Sequence, residues 1–170
     1  MGNIIEKDWI TKAGHRAVAL IVTKDDGRKS HRCGYVEVKE GHPLHGLDAF
    51  EKSAKLKEAW EMAQDGPIGN RSPIAIFFGV MDGESPSPFQ VFDVHGSLTY
   101  GAGHDDYPAS GGDWWLGFDC HHDGDGEIED NLDHRWSLER PRSLDYVEGE
   151  CERLAEQFAA LTTKEDSTNG

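Results

Sequence analysis

Ten consecutive residues, Phe118-Asp119-Cys120-His121-His122-Asp123-Gly124-Asp125-Gly126-Glu127, hold two imidazoles, one thiol and four carboxylates. Imidazole mixed with carboxylate, with few thiolates, suits Zn, Mn, Fe or Ni, whereas carboxylates alone suit Mg or Ca. A cation held this way acts as a Lewis acid or activates a bound water. A second source of ligands lies upstream. Read as a strand, Phe89 to His95 places Asp93 and His95 on one face by alternation. If that strand neighbours the one ending at Asp119, a carboxylate–imidazole cluster forms at one edge of the sheet. The candidate metal ligands are His95, Asp119, His122 and Asp125, for a divalent cation (Zn, Mn or Mg).

Electrostatics single out the same region. Between Arg71 and Arg135 the chain has no lysine and no arginine, yet Ser72 to His134 contains thirteen carboxylates and five of the nine histidines. A phosphate bound there would need a metal, backbone amides of the glycine loop, or an arginine from beyond the stretch: Arg135, Arg140 or Arg142.

Plainer readings stand beside these. Exposed Asp/Gly loops such as Asp123 to Asp130 are often only solvated, and a histidine ending a strand is often only hydrogen-bonded. Adjacent residues on an extended chain point apart, so His121 and His122 share a metal only if the backbone turns there. An EF-hand starting at Asp119 puts Gly124 at the sixth loop position, but Gly126 occupies the usual aliphatic position and a strand precedes the loop. The cysteines lack zinc-finger spacing. Cys120 reads as a buried thiol beside Phe118 and Leu116, or as a nucleophile activated by His122 or His95. Trp115 would share a face with Asp119, where it could stack on a base or sugar or pack in the core. Gly41-His42-Pro43-Leu44 reads as a rigid loop over the site or as a plain turn.

The elements that must position these groups are legible in outline. His15 to Lys24 and Ser30 to Lys39 read as strands joined by the turn Asp25-Asp26-Gly27. Asp48 is a cap for a helix running to about Gln64, with Leu56, Trp60 and Ala63 on one side and Gly66-Pro67 as its stop. Ile74 to Val80 reads as a central strand, Gly83 to Pro88 as a loop and Phe89 to His95 as a strand. Gly101 to Gly112 reads as a glycine-rich loop, and Trp114 to Cys120 as the last strand. An acidic loop then runs to about Arg140. A helix capped by Ser143 carries the apolar stripe Leu144, Val147, Cys151, Leu154, Phe158 and Leu161. The expected fold is α+β: a mainly antiparallel sheet of about five strands with two packed helices. It forms a single domain over residues 1–161, followed by a disordered polar tail over 162–170.

Composition bounds the partners. A formal net charge of -15 excludes general nucleic-acid binding and docking on anionic membranes. No apolar run approaches the roughly 20 residues that span a bilayer. Three separated cysteines, Cys33, Cys120 and Cys151, without a signal peptide, fit a reducing cytoplasm.

Several blocks together resemble a family of short proteins encoded by bacteriophages and prophages. They are Cys33-Gly34-Tyr35-Val36, Gly41-His42-Pro43-Leu44, Val94-His95-Gly96-Ser97-Leu98-Thr99-Tyr100, Trp115-Leu116-Gly117-Phe118-Asp119-Cys120-His121-His122-Asp123-Gly124-Asp125, and the helix block from Tyr146 to Ala155 with Glu150, Cys151, Glu152 and Leu154. In that family the central blocks read His-Gly-Gly-(Leu/Ile)-Thr-Tyr and Gly-Phe-Asp-Cys-x-His-x-Gly-Asp, so Ser97 stands where a second glycine is usual. The matched positions are His95, Gly96, Thr99, Tyr100, Asp119, Cys120, His122, Gly124 and Asp125. The resemblance favours His122 over His121 and takes weight from His104, Asp105 and Asp106. It implies a setting, the cytoplasm of an infected bacterium, and an accessory or counter-defence role.

Three functions follow as expectations. The first is binding of a small polar, nucleotide-like ligand by His95, Thr99, Tyr100, Trp115, Asp119 and His122, with a homodimer interface as one way to bury it. The second is a divalent-metal-dependent hydrolase of phosphoester-type substrates, for which Asp119, Cys120 and His122 are the catalytic candidates. The third is an acidic mimic of DNA that occupies a basic host protein.

Overall fold

The computed structural model describes residues 2–63, 85–129 and 139–161. The described elements are strands β1 (Gly2–Ile10), β2 (Arg16–Thr23) and β3 (Lys29–Val38), helix α1 (Ala54–Ala63), the single-turn helix α2 (Pro88–Val91), strands β4 (Tyr100–Ala102) and β5 (Trp114–Asp119), and helix α3 (Leu144–Ala159). The strands form one sheet in the order β1-β2-β3-β5-β4, and every neighbouring pair is antiparallel. The fold is therefore α+β, with the expected sheet of five strands, although its members differ from those read in the sequence. Among the described residues no helix is long and apolar enough to cross a membrane.

The two faces of the sheet bury different side chains. Ala17, Ala19, Val36, Val38, Leu116 and Phe118 meet α1 and α3 in the main core. There the α3 stripe contributes Val147, Cys151, Leu154 and Phe158, all fully buried. Close approach of α3 depends on Gly34, where a Cβ would meet the Phe118 ring at 2.5 Å and Cys151 Sγ at 2.8 Å. The opposite face buries Val18, Leu20, Cys33, Tyr35 and Trp115 beneath Ala109, with Tyr100 and Tyr107 packed against them.

The hairpin of β2 and β3 and the final strand and helix fall where the sequence placed them. Ser143 caps α3, its hydroxyl accepting from the Tyr146 N–H (3.1 Å). Three expectations change, and one strand, β1, was not among the elements read from the sequence. Strand β1 has no apolar alternation to announce it; it pairs with β2, and polar side chains tie it to the rest of the fold. Glu6 accepts from Arg32 Nε (2.6 Å), Asp8 from Arg16 Nη2 (2.6 Å), Lys7 donates to Glu148, and Trp9 Nε1 donates to Glu152 (2.9 Å).

Helix α1 begins at Ala54 rather than at Asp48. Asp48 closes a turn by accepting from the Phe50 N–H (2.9 Å), and Ser53 Oγ takes the capping role with the Leu56 N–H (3.2 Å). Phe89 to His95 is not a strand: Pro88 starts a helical turn, and Gln90 Oε1 reaches back to the Ser87 N–H (3.0 Å). The predicted loop over Gly101 to Gly112 begins inside β4, where Gly101 and Ala102 pair with Leu116 and Trp115. The readings of Ile74 to Val80 as a strand, of Gln64 and Gly66-Pro67 as the end of a helix, and of 162–170 as a tail lie outside the described residues, as do the first two residues of the Gly83 to Pro88 loop and residues 130–138 of the acidic loop.

Candidate metal centre

Three segments converge at the end of β5. The first, Asp93 to His95, follows α2 and lies along α3, whose side chains satisfy its backbone in place of a sheet neighbour. Gln157 Oε1 accepts from the Asp93 N–H (2.9 Å), Gln157 Nε2 donates to the Asp93 carbonyl (2.9 Å), and Glu150 Oε2 accepts from the His95 N–H (2.7 Å). Arg153 holds Glu150 (2.8 Å) and Asp93 (3.1 Å) in turn. The backbone of this segment is satisfied by α3 rather than by a neighbouring strand, and His95 opens the turn that the Ser97 N–H closes on the Val94 carbonyl (3.0 Å).

The second segment leaves β5 at Asp119 and turns at once. The Asp125 N–H donates to the His122 carbonyl (2.9 Å), with Gly124 at φ 95°. This turn carries the Asp125 side chain inward until it is 2% exposed. The third segment precedes α3: Gly126 N–H donates to the Arg140 carbonyl (3.1 Å), and Arg142 Nε donates to Asp125 Oδ1 (2.8 Å).

The resulting cluster is dense. Asp125 Oδ2 accepts from His95 Nε2 (2.7 Å) and from the His122 N–H (3.2 Å). The carboxylate can only accept, so the neutral His95 ring carries its proton on Nε2, and Nδ1 accepts from the Tyr146 hydroxyl (2.9 Å). Burial acts to raise the Asp125 carboxyl, but the bonds from His95, Arg142 and the His122 amide outweigh it and bring it down to about 2. Burial and the Glu150 carboxylate raise the Tyr146 phenol, which keeps it a donor. The His122 ring lies edge-on to His95, with centroids 5.6 Å apart. Its Nδ1 is 3.7 Å from Asp125 Oδ2 and 3.8 Å from Asp119 Oδ1. His95, His122 and Asp125 each offer one ligand atom, and these atoms all lie within 4.8 Å of one another.

The other sequence candidates divide. Asp119 stands beside His122, accepting from the His121 N–H (3.0 Å) and the Thr99 hydroxyl (3.3 Å). His121 points away from His122 and stacks on His31, with centroids 4.5 Å apart. Tyr100 and Trp115 are not at the cluster. They belong to the core on the far face of the sheet, where Trp115 is fully buried and Tyr100 packs edge-on to Tyr35 and Tyr107. Trp115 does share a strand face with Asp119, but four residues of strand separate the two by about 13 Å.

Cys120 is 1% exposed in the main core, and burial, together with the nearby Asp125 carboxylate, pushes its thiol up to about 12. That is the reverse of nucleophile activation. The His42 loop lies elsewhere: His42 Nε2 bonds the Phe158 carbonyl (2.9 Å), twelve residues or about 18 Å along α3 from Tyr146.

Sequence reading missed Tyr146 and Glu150 as members of the site. Their spacing of four on a helix puts them on one face, which was the available signal. Compared with known proteins, the chain matches no protein-family model, no curated protein and no solved structure.

Proposed function

We propose that the protein binds a divalent transition metal through His95, His122 and Asp125 and holds a small polar ligand on that metal. The observation that carries this reading is the mutual approach of the three ligand atoms to within 4.8 Å. Two nitrogens on one tetrahedral zinc ion stand about 3.4 Å apart, so small side-chain rotations close the group. Two imidazoles and a carboxylate favour Zn or Mn over Mg. Three protein ligands leave coordination positions for water or for a donor atom of the ligand. The nucleotide-like ligand and the counter-defence setting expected from the phage resemblance belong to this proposal.

Hydrolysis is the second reading, favoured by Asp119. Its carboxylate lies 3.8 Å from His122 Nδ1 and outside the three-residue group. A carboxylate there could take a proton from metal-bound water.

The test is elemental analysis and small-molecule mass spectrometry of natively purified protein, beside a His95→Ala/His122→Ala control. Stoichiometric Zn or Mn in the wild type, lost in the control, is the expected result. Sub-stoichiometric metal that also fails to bind on titration rejects the reading. A phosphorylated compound recovered intact marks a binder, and its recovery only as hydrolysis products marks the enzyme.

A further inference from the structure

We infer that Arg142 presents an oxyanion-binding edge to this site, so that the ligand carries a phosphate or carboxylate group. The inference builds on the metal reading but stands on separate observations. Arg142 Nε is fixed on Asp125 Oδ1 (2.8 Å), and its guanidinium lies over the Tyr146 ring, 4.9 Å from the centroid. The side chain is 40% exposed. Its two terminal nitrogens make no hydrogen bond among the described residues. Three other described guanidiniums spend theirs: Arg16 on Asp8 and the Ser110 carbonyl, Arg32 on Glu6 and the Arg142 carbonyl, Arg153 on Asp93 and Glu150.

Position makes the open edge meaningful. One carboxylate, Asp125, separates the Arg142 guanidinium from His95, through bonds of 2.8 and 2.7 Å. The 63 residues from Ser72 to His134 that supply both imidazoles and this carboxylate contain no lysine or arginine. Arg142 is thus a cation brought back to the site from beyond that stretch. A planar fork held by a carboxylate on one side and an aromatic ring beneath it is pre-organised, which lowers the entropy lost on gripping a second oxyanion. Once a metal takes the Asp125 charge, an anion bridging metal and guanidinium completes the local balance.

The experiment uses the full chain loaded with Mn²⁺ and probes it with inorganic phosphate, reading ³¹P relaxation and calorimetric affinity. Arg142→Lys keeps the charge and loses the fork, and Arg142→Gln keeps a donor for Asp125; thermal unfolding checks that both fold. We expect phosphate affinity, measured at saturating Mn²⁺, to fall about tenfold or more in both variants, a loss separate from any weakening of Mn²⁺ binding that follows from the altered bond to Asp125. Equal phosphate binding by wild type and both variants, or none by the Mn-loaded wild type, overturns the inference. If Mn²⁺ does not bind, the same titration is made on metal-free protein. Phosphate binding that depends on Arg142 there retains the inference and rejects the metal reading; its absence rejects both.

Discussion

The His122 imidazole sits on the α-carbon of Gly96, so close that a Cβ at position 96 would meet His122 Cε1 at 2.1 Å. Gly96 also has φ 63°, a conformation that side chains disfavour. The residue after His95 therefore has to be glycine for the two imidazoles to meet. Gly96→Ala should cost about 2–3 kcal/mol, combining left-handed strain with overpacking. It should also push His122 away from Asp125 and weaken metal binding. Urea unfolding and titration of Zn²⁺ or Mn²⁺ read the two effects. An Ala variant with wild-type stability and affinity would mean that the ring does not rest there.

Ser97 continues the same turn with φ 71°, the one non-glycine residue with positive φ among those described. Its N–H donates to the Val94 carbonyl (3.0 Å), so the turn is closed and the strain is local. Ser97→Gly should raise stability by about 1 kcal/mol, with the gain partly offset by the greater freedom of glycine in the unfolded chain. Metal affinity should not change. Denaturant midpoints of the two proteins decide it, and a loss of stability would refute the strain.

Asp125 makes stability depend on acid in a defined direction. Its carboxyl titrates near 2 in the folded protein against an ordinary 3.8, so the folded state favours the ionised form. The stabilisation is complete above the unfolded value and disappears as pH falls through the folded one. It amounts to about 2 kcal/mol. In chelator-treated protein, the unfolding free energy of wild type should fall between pH 4 and pH 2 by about that much more than that of Asp125→Asn. The variant itself should lose about 2–4 kcal/mol at neutral pH, because the bonds from Arg142 and His95 lose their charged acceptor. Parallel pH profiles for the two proteins would contradict this account.

What the sequence revealed and concealed follows from the range of the interactions. The α3 stripe and the β2–β3 hairpin are periodic, local patterns, and they are found where they were read. His95 and the His122–Asp125 turn were also legible as candidate ligand residues, and the structure brings them together. Their meeting was expected for the wrong reason, as two neighbouring strands. In fact Glu150 and Gln157 hold the His95 segment against α3, more than fifty residues away in sequence. Such a helix-to-loop bond leaves no periodicity. Trp115 was misassigned to the site because alternation identifies a face and not a height along it. Strand β1 escaped notice since its anchors, Arg16, Arg32, Glu148 and Glu152, are scattered polar residues.

Tyr146 has the chemistry to serve His95 with and without a metal. When Nε2 donates to Asp125, the phenol donates to Nδ1 (2.9 Å). When Nε2 turns its lone pair to a metal, Nδ1 takes the proton, and the same phenol oxygen can accept it. Phenylalanine can do neither. Tyr146→Phe should therefore cost about 1–2 kcal/mol in metal-free protein, by leaving Nδ1 unpaired. It should also weaken Zn²⁺ binding about tenfold, the usual penalty for losing the partner of a ligating imidazole. Nitrogen-15 spectra of the His95 ring supply a readout that packing alone would not move. In wild type the protonated nitrogen should change from Nε2 to Nδ1 as Zn²⁺ is added. A ring that keeps its proton on Nε2 with zinc bound would remove His95 from the metal's ligands and leave it as the orienting partner of Asp125.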